Sequence, residues 1–175
     1  NSTTDKGNNS WKEPVDNYRS KKRLNAELKI LQNRSVVFCP SGAFSKPGDY
    51  VSRDVAGVPL IAIRGLDGKI RAFKNACRHR GVQLVNGNGC TRALVCPYHG
   101  WAYSLDGKLR SIPHEHGFPN VEKATRGLVP VACAEINGLV FINQSPQADI
   151  NNDVLSVPKI MPDGHRLLSS NSLII

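Results

Sequence analysis

The first regular pattern along the chain is helical. Between residues 20 and 34, Leu24, Leu28 and Leu31 recur at i, i+4 and i+7, with lysines and arginines on the other face. That is the spacing of an amphipathic helix, and it predicts an arm packed on the domain. From Gly48 the period changes to short apolar runs separated by turns. Runs at residues 50–55 and 59–63 flank Ala56-Gly57, and residues 70–73 follow Leu66-Asp67-Gly68-Lys69. Residues 101–104 lead through Leu105-Asp106-Gly107-Lys108 to Leu109, and residues 128–134 and 139–143 bracket Ile136-Asn137-Gly138. Asp-Gly and Asn-Gly favour the positive φ of tight hairpin turns, so three such pairs between apolar runs predict antiparallel β structure. The expected fold class is all-β: small antiparallel sheets with two projecting loops, 77–81 and 96–100, preceded by an N-terminal helical arm. After Gln144 the chain turns polar and loop-like, and residues 167–175 form a strand-like run ending on three apolar residues. The organisation read from this is a disordered tail or expression remnant (1–15), the arm (16–35), the β domain (36–145), and a linker and strand (146–175). That last strand is expected to lead toward a further domain absent from this sequence.

Composition narrows the class. A chain of 175 residues suits one domain with an arm, and 40% hydrophobic with 21% charged residues is ordinary for a globular protein. No apolar run nears the roughly 20 residues of a membrane span, and the polar start, residues 1–9, does not read as a signal peptide. The five cysteines, Cys39, Cys77, Cys90, Cys96 and Cys133, are odd in number and irregularly spaced. This argues against a disulfide framework and for a reducing compartment, so a cytoplasmic location is expected. The net charge of +9 raises nucleic acid as a partner. The positive residues, however, divide between the arm (Lys21, Lys22, Arg23, Lys29, Arg34) and the surroundings of the first Cys/His pair (Arg64, Lys69, Arg71, Lys74, Arg78, Arg80). Without an aromatic-interleaved basic stripe, the expectation is no nucleic acid and no membrane, and a basic rim suited to an acidic protein partner.

The chemistry lies in two segments. One reads Cys77-Arg78-His79-Arg80-Gly81 and the other Cys96-Pro97-Tyr98-His99-Gly100-Trp101. This is C-x-H, sixteen intervening residues, then C-x-x-H, so each loop supplies one thiolate and one imidazole. In a 2Fe–2S centre of Rieske type two thiolates hold one iron and two imidazoles the other. Neutral imidazoles in place of two thiolates remove negative charge and raise the potential to roughly −150 to +300 mV, from about −400 mV for all-cysteine plant-type clusters. A tetrahedral zinc is the competing reading, but zinc pairs are usually C-x₂₋₄-C and H-x₃₋₅-H, and a C-x-H half fits that poorly. Chance burial of four structural residues is the other. His114-Glu115-His116 resembles a metal fragment but reads as solvated surface on a Pro-flanked loop. Cys39, Cys90 and Cys133 read as small core or loop residues, and His165 has no evident partner.

These two segments, with Ala102-Tyr103, resemble the Rieske domain of the alpha (large) subunits of Rieske non-heme iron ring-hydroxylating oxygenases. The flanks resemble it too: Gly48-Asp49-Tyr50, Ala72-Phe73-Lys74-Asn75, Leu105-Asp106-Gly107-Lys108-Leu109, and residues 137–143. The likeness covers roughly residues 18 to 145. It implies one 2Fe–2S cluster on Cys77, His79, Cys96 and His99, with Arg80, Gly81, Tyr98, Gly100, Trp101 and Tyr103 around those ligands. High-potential Rieske proteins of cytochrome bc complexes carry an extra cysteine in each loop and a serine after the second glycine. Here Tyr98 and Trp101 stand in the second loop's two places, which implies fewer donors to the sulfides and a potential at the low end of the range. The resemblance further implies a reductase or ferredoxin as electron donor and neighbouring alpha subunits in a trimer. It also implies a mononuclear Fe(II) on two histidines and a carboxylate in a catalytic domain. The chain departs from the family in having no such iron-binding stretch, so no catalytic residue is assigned. Electron transfer as the N-terminal domain of an oxygenase is the leading expectation. A freestanding Rieske-type ferredoxin and a zinc-stabilised interaction module are the alternatives.

Overall fold

The structure, a computed structural model, describes residues 12–154 and Pro158. The strand expected at 167–175, His165 and the tail up to residue 11 lie outside the described residues. Two helices come first, α1 (Val15–Arg19) and α2 (Lys21–Gln32). Ser20 separates them and caps the second, its Oγ accepting from Arg23 N, one of the four free N–H groups at a helix start. Val15, grouped with the tail in the sequence reading, opens α1. The leucine stripe of α2 is not buried: Leu24 is 52% and Leu31 47% exposed. The helix is fastened near its C-terminal end, where Gln32 Nε2 donates to Ala56 O at 2.8 Å, so the arm lies against a turn and not across a core.

Among the described residues ten strands follow: β1 (Val36–Pro40), β2 (Asp49–Val55), β3 (Val58–Arg64), β4 (Ile70–Lys74), β5 (Asn88–Cys90), β6 (Leu94–Val95), β7 (Ala102–Tyr103), β8 (Leu109–Ser111), β9 (Pro130–Ile136) and β10 (Leu139–Asn143). A short helix, α3 (Ile150–Asp153), forms where a polar loop was expected. Its N-cap is Asp149, whose carboxylate accepts from Asn152 N. Seven strands form one antiparallel sheet in the order β1-β10-β9-β4-β3-β2-β5, and β6-β7-β8 form a second. β3 carries an unbroken buried run, Leu60 to Ile63 all at 0% exposure, because both faces of the large sheet are covered. On one face Ile61, Ile63 and Phe73 pack with Leu94, Tyr103 and Leu109 of the small sheet and with Trp101 and Leu105 beside its strands. On the other, Phe38 of β1 and Val51 of β2 join one core with Leu60, Val140 and Ile142. Strands near opposite ends of the order meet there, so the sheet curls upon itself.

The predicted hairpin turns form, by two different devices. Ala56-Gly57 and Asn137-Gly138 both take positive φ (52°, 79°, 51° and 83°), the requirement of a two-residue I′ turn. At Leu66-Asp67-Gly68 and Leu105-Asp106-Gly107 only the glycines do, at 76° and 84°. Gly68 N bonds Gly65 O and Gly107 N bonds Ser104 O, giving type I turns closed by a left-handed glycine. The second of these docks the small sheet: a Cβ on Gly107 would stand 2.4 Å from Phe73 Cε1, so β4 and this turn meet where only glycine fits.

Candidate metal centre

The two loops share one backbone plan. In the first, Cys77 N donates to Val82 O (2.8 Å) and Gly81 N to Cys77 O (2.8 Å); in the second, Cys96 N donates to Trp101 O (2.8 Å) and Gly100 N to Cys96 O (3.0 Å). Each is a five-residue finger from cysteine to glycine, closed by the same two bonds. The glycines have φ of 73° and 70°, a conformation costly for residues with a Cβ. Gly100 also lies against Pro113, whose Cγ would be 2.9 Å from an added Cβ, whereas the space at Gly81 is open. The histidines differ in place, third in the first finger and fourth in the second, yet their Nδ1 atoms come within 3.1 Å of each other.

The donors are grouped like with like. Cys77 and Cys96 are each 3% exposed and belong to the core between the sheets. Burial pushes the Cys77 thiol up from its ordinary pKa, and the neighbouring Cys96 adds to this against the hydrogen bond from Tyr103. A buried pair of this kind is stable as thiolate only beside a metal's positive charge. Tyr103, fully buried, holds its phenol oxygen 3.3 Å from Cys77 Sγ and accepts from Arg78 N at 2.9 Å. The imidazoles lie outward, His79 half-buried and His99 exposed. Desolvation, then the nearby His99 and Arg80, lower the pKa of His79, which favours the neutral ring that a metal requires. Its ring stacks on Trp101 (5.0 Å, 7° between planes), and Phe118 meets both rings edge-on. Tyr98, 56% exposed, packs against His99 at 3.7 Å.

Among the described residues no three or more His, Cys, Asp or Glu side chains surround one point fit for a single ion. A sulfur pair inside and a nitrogen pair outside are the donor set of a two-iron cluster, one pair to each iron. All four predicted ligands therefore come together, with Gly81, Gly100, Trp101 and Tyr103 shaping the fingers and Arg80 at their rim. Sequence reasoning did not single out Phe118 or Pro113 and read His114 only as solvated surface; with His79, Arg80, His99 and Trp101 these three line a surface depression of about 520 Å³. His114 carries one local sign, a left-handed backbone at φ 54° between Pro113 and a short turn. As read from the sequence, His114, Glu115 and His116 are exposed, and Glu115 pairs with Lys123 at 2.9 Å. Cys39 is buried in the core on the far face with Cys133 packed against it, and Cys90 is exposed on β5.

Residues 34–126, more than half the chain, match the family described as the Rieske [2Fe-2S] domain. The chain belongs to that family, and it is a domain for electron transfer through one 2Fe–2S cluster. Among curated relatives, the carnitine monooxygenase oxygenase subunit of Escherichia coli (strain K12) is 34% identical over 148 residues, covering 83% of this chain and 40% of that protein. The chlorobenzene dioxygenase subunit alpha of Cupriavidus sp. (strain PS12) is 35% identical over 120 residues, covering 67% and 27%. Among solved structures, the apo quaternary ammonium Rieske monooxygenase CntA superposes with a TM-score of 0.74 at 31% identity, over 82% of this chain and 43% of that one. Naphthalene 1,2-dioxygenase from Rhodococcus sp. gives 0.72 at 33%, over 78% and 32%. The chain thus spans about two fifths of the carnitine monooxygenase subunit. Among the described residues no helix is long and apolar enough to cross a membrane.

Proposed function

We propose that this chain holds its 2Fe–2S cluster through Cys77, His79, Cys96 and His99 and relays single electrons as the N-terminal domain of an oxygenase alpha subunit. The observation that carries this is the pair of matched fingers, with thiols inward and imidazoles outward. When bound, the cluster accepts and returns one electron. The chain's own part is to keep water from the sulfurs, to favour the neutral ring of His79, and to present both imidazoles at a surface. Trp101 fixes the ring plane of His79 by stacking, and Tyr103 donates to the Cys77 sulfur.

The electron donor is a reductase or ferredoxin, and the acceptor a mononuclear iron in a catalytic domain, reached across neighbouring alpha subunits of a trimer. The larger protein is then an oxidoreductase, a monooxygenase or dioxygenase. Similarity to an oxygenase subunit over 83% of the chain, more than the Rieske match at residues 34–126 alone covers, favours this over a freestanding Rieske-type ferredoxin. The five free cysteines favour the cytoplasm. Anaerobically prepared protein is expected to contain iron and acid-labile sulfide in equal amounts and to give an EPR signal after dithionite. Cys77→Ala and His99→Ala should each abolish that signal. Colourless, iron-free protein, or a red-brown chromophore that survives loss of either histidine, would overturn the assignment.

A further inference from the structure

The two fingers are closed differently at their bases. β6 and β7 run into and out of the second as paired strands, Leu94 opposite Tyr103 and Val95 opposite Ala102. The first has no such ladder: β4 ends at Lys74, and residues 82–87 are not strand. One side chain stands in its place. Asn75, two residues before Cys77, is 1% exposed. Its Oδ1 accepts from Leu84 N (3.0 Å) and Val85 N (3.4 Å), beyond the finger. Its Nδ2 donates to Val85 O (2.7 Å) and to Ser52 Oγ on β2 (2.7 Å), while its backbone N–H reaches Pro59 O at 2.8 Å.

The amide therefore uses both donors and both acceptor positions, which a fully buried asparagine needs if it is not to cost stability. A side chain filling space would not need four hydrogen bonds that tie one end of a loop to the other and to β2. These bonds join the chain before Cys77 to the chain after Val82 and tie the junction to the large sheet through Ser52, itself 8% exposed. A fully satisfied buried network of this kind rigidifies what it joins. A ligand set gains its geometry from the polar groups that orient it.

We propose that Asn75 is a positioning residue: it clasps the base of the first finger in place of a strand pair, and so sets where Cys77 and His79 stand relative to Cys96 and His99. The inference rests on the reading of those four residues as ligands. Removing the clasp lets the first finger shift as a unit, which changes the electronic environment of the irons as well as the stability of the fold.

The test uses the full chain with its cluster, and compares Asn75→Ala, Ser52→Ala and Ser52→Thr with Val140→Ala, a cavity in the core on the far face of the large sheet. Three quantities are measured: EPR g-values after dithionite, midpoint potential, and the rate of bleaching in EDTA. Asn75→Ala should displace the g-values and the midpoint and bleach on the order of tenfold faster, the worth of one or two hydrogen bonds. Ser52→Ala should do the same to a smaller degree, Ser52→Thr should restore wild-type values by keeping the hydroxyl, and Val140→Ala should lower only the melting temperature. If Asn75→Ala and Ser52→Ala behave like Val140→Ala, with lower melting and unchanged spectrum and potential, the clasp is structural alone and the proposal is wrong. Should Asn75→Ala not accumulate as folded protein, the two Ser52 variants decide in the same terms. A wild-type chain without the signal, or Cys77→Ala retaining it, would instead remove the ligand assignment on which the clasp depends.

Discussion

A phenol beside a sulfur is the simplest lever on this site. Tyr103 Oη lies 3.3 Å from Cys77 Sγ within the core; with Cys77 as thiolate the phenol donates, and hydrogen bonds to a cluster-bound sulfur favour the reduced, more negative cluster. Tyr103→Phe removes the hydroxyl and little volume. A difference of about 1 kcal/mol between the two redox states corresponds to roughly 40 mV for one electron. The midpoint should therefore fall by tens of millivolts in a spectroscopic titration, and an unchanged or higher value would show that this bond does not distinguish the states. The other cysteines separate by environment. Burial holds Cys39 and Cys133 up at about 12, so at pH 8 they are thiols and should resist iodoacetamide in the folded protein. Cys90 is exposed, and its pKa is raised chiefly by the Asp49 carboxylate. Asp49→Asn takes away that negative charge, lowers the Cys90 pKa, increases thiolate at pH 8 and should speed its labelling. Mass spectrometry finding Cys39 labelled as fast as Cys90 would contradict this. At this scale the two fingers that bring Cys77, His79, Cys96 and His99 together were legible in the sequence, because the Cys/His order itself carries chemistry. The role of Asn75 was not, although the residue stands in a flank that resembles the family: its partners Ser52, Leu84 and Val85 lie up to 23 positions away, and no spacing marks an amide that ties one end of a loop to the other.

The twin turns separate backbone strain from packing at the level of elements. Gly68 and Gly107 occupy the same position in the same Leu-Asp-Gly-Lys sequence, with φ of 76° and 84°. An alanine at either is forced into the left-handed region, at about 1–2 kcal/mol. At Gly68 nothing lies within 4 Å of the added carbon, whereas at Gly107 the Phe73 ring is 2.4 Å away. Gly107→Ala should thus cost about 1–3 kcal/mol more than Gly68→Ala, the typical penalty of overpacking, read as a difference in urea midpoints at equal slope. Equal losses would mean that the small sheet is not seated on Phe73. Most strands were readable from alternation and turn residues, since those signals are local. β5 and β6, three and two residues long, are too short to show a period. β1 was missed because its run ends on Pro40, and proline within a strand is tolerated at a sheet edge, which is where β1 lies. The arm was readable as a helix but not in its packing, because periodicity reports a stripe and says nothing of what meets it.

Charge acts over the whole molecule. The chain carries a formal +9, and Arg80 lies on the depression that holds both imidazoles, with Arg78 exposed on the same finger. The acidic residue on the opposite loop, Glu115, is already neutralised by Lys123. On the proposed function, an approaching partner meets positive potential at the imidazoles, and steering by such a field weakens as salt shortens its reach to about 10 Å at 0.1 M. Two reductants of opposite charge give opposite signs. Reduction by an acidic 2Fe–2S ferredoxin, followed by stopped-flow absorbance, should slow as sodium chloride rises. Reduction by the methyl viologen radical cation should quicken or stay level, because salt relieves repulsion. Arg80→Gln should flatten the first dependence without altering the backbone of the finger, since its side chain is exposed. If both reductants respond to salt alike, the charge governs solubility and not docking, and the partner reaches the imidazoles by shape alone.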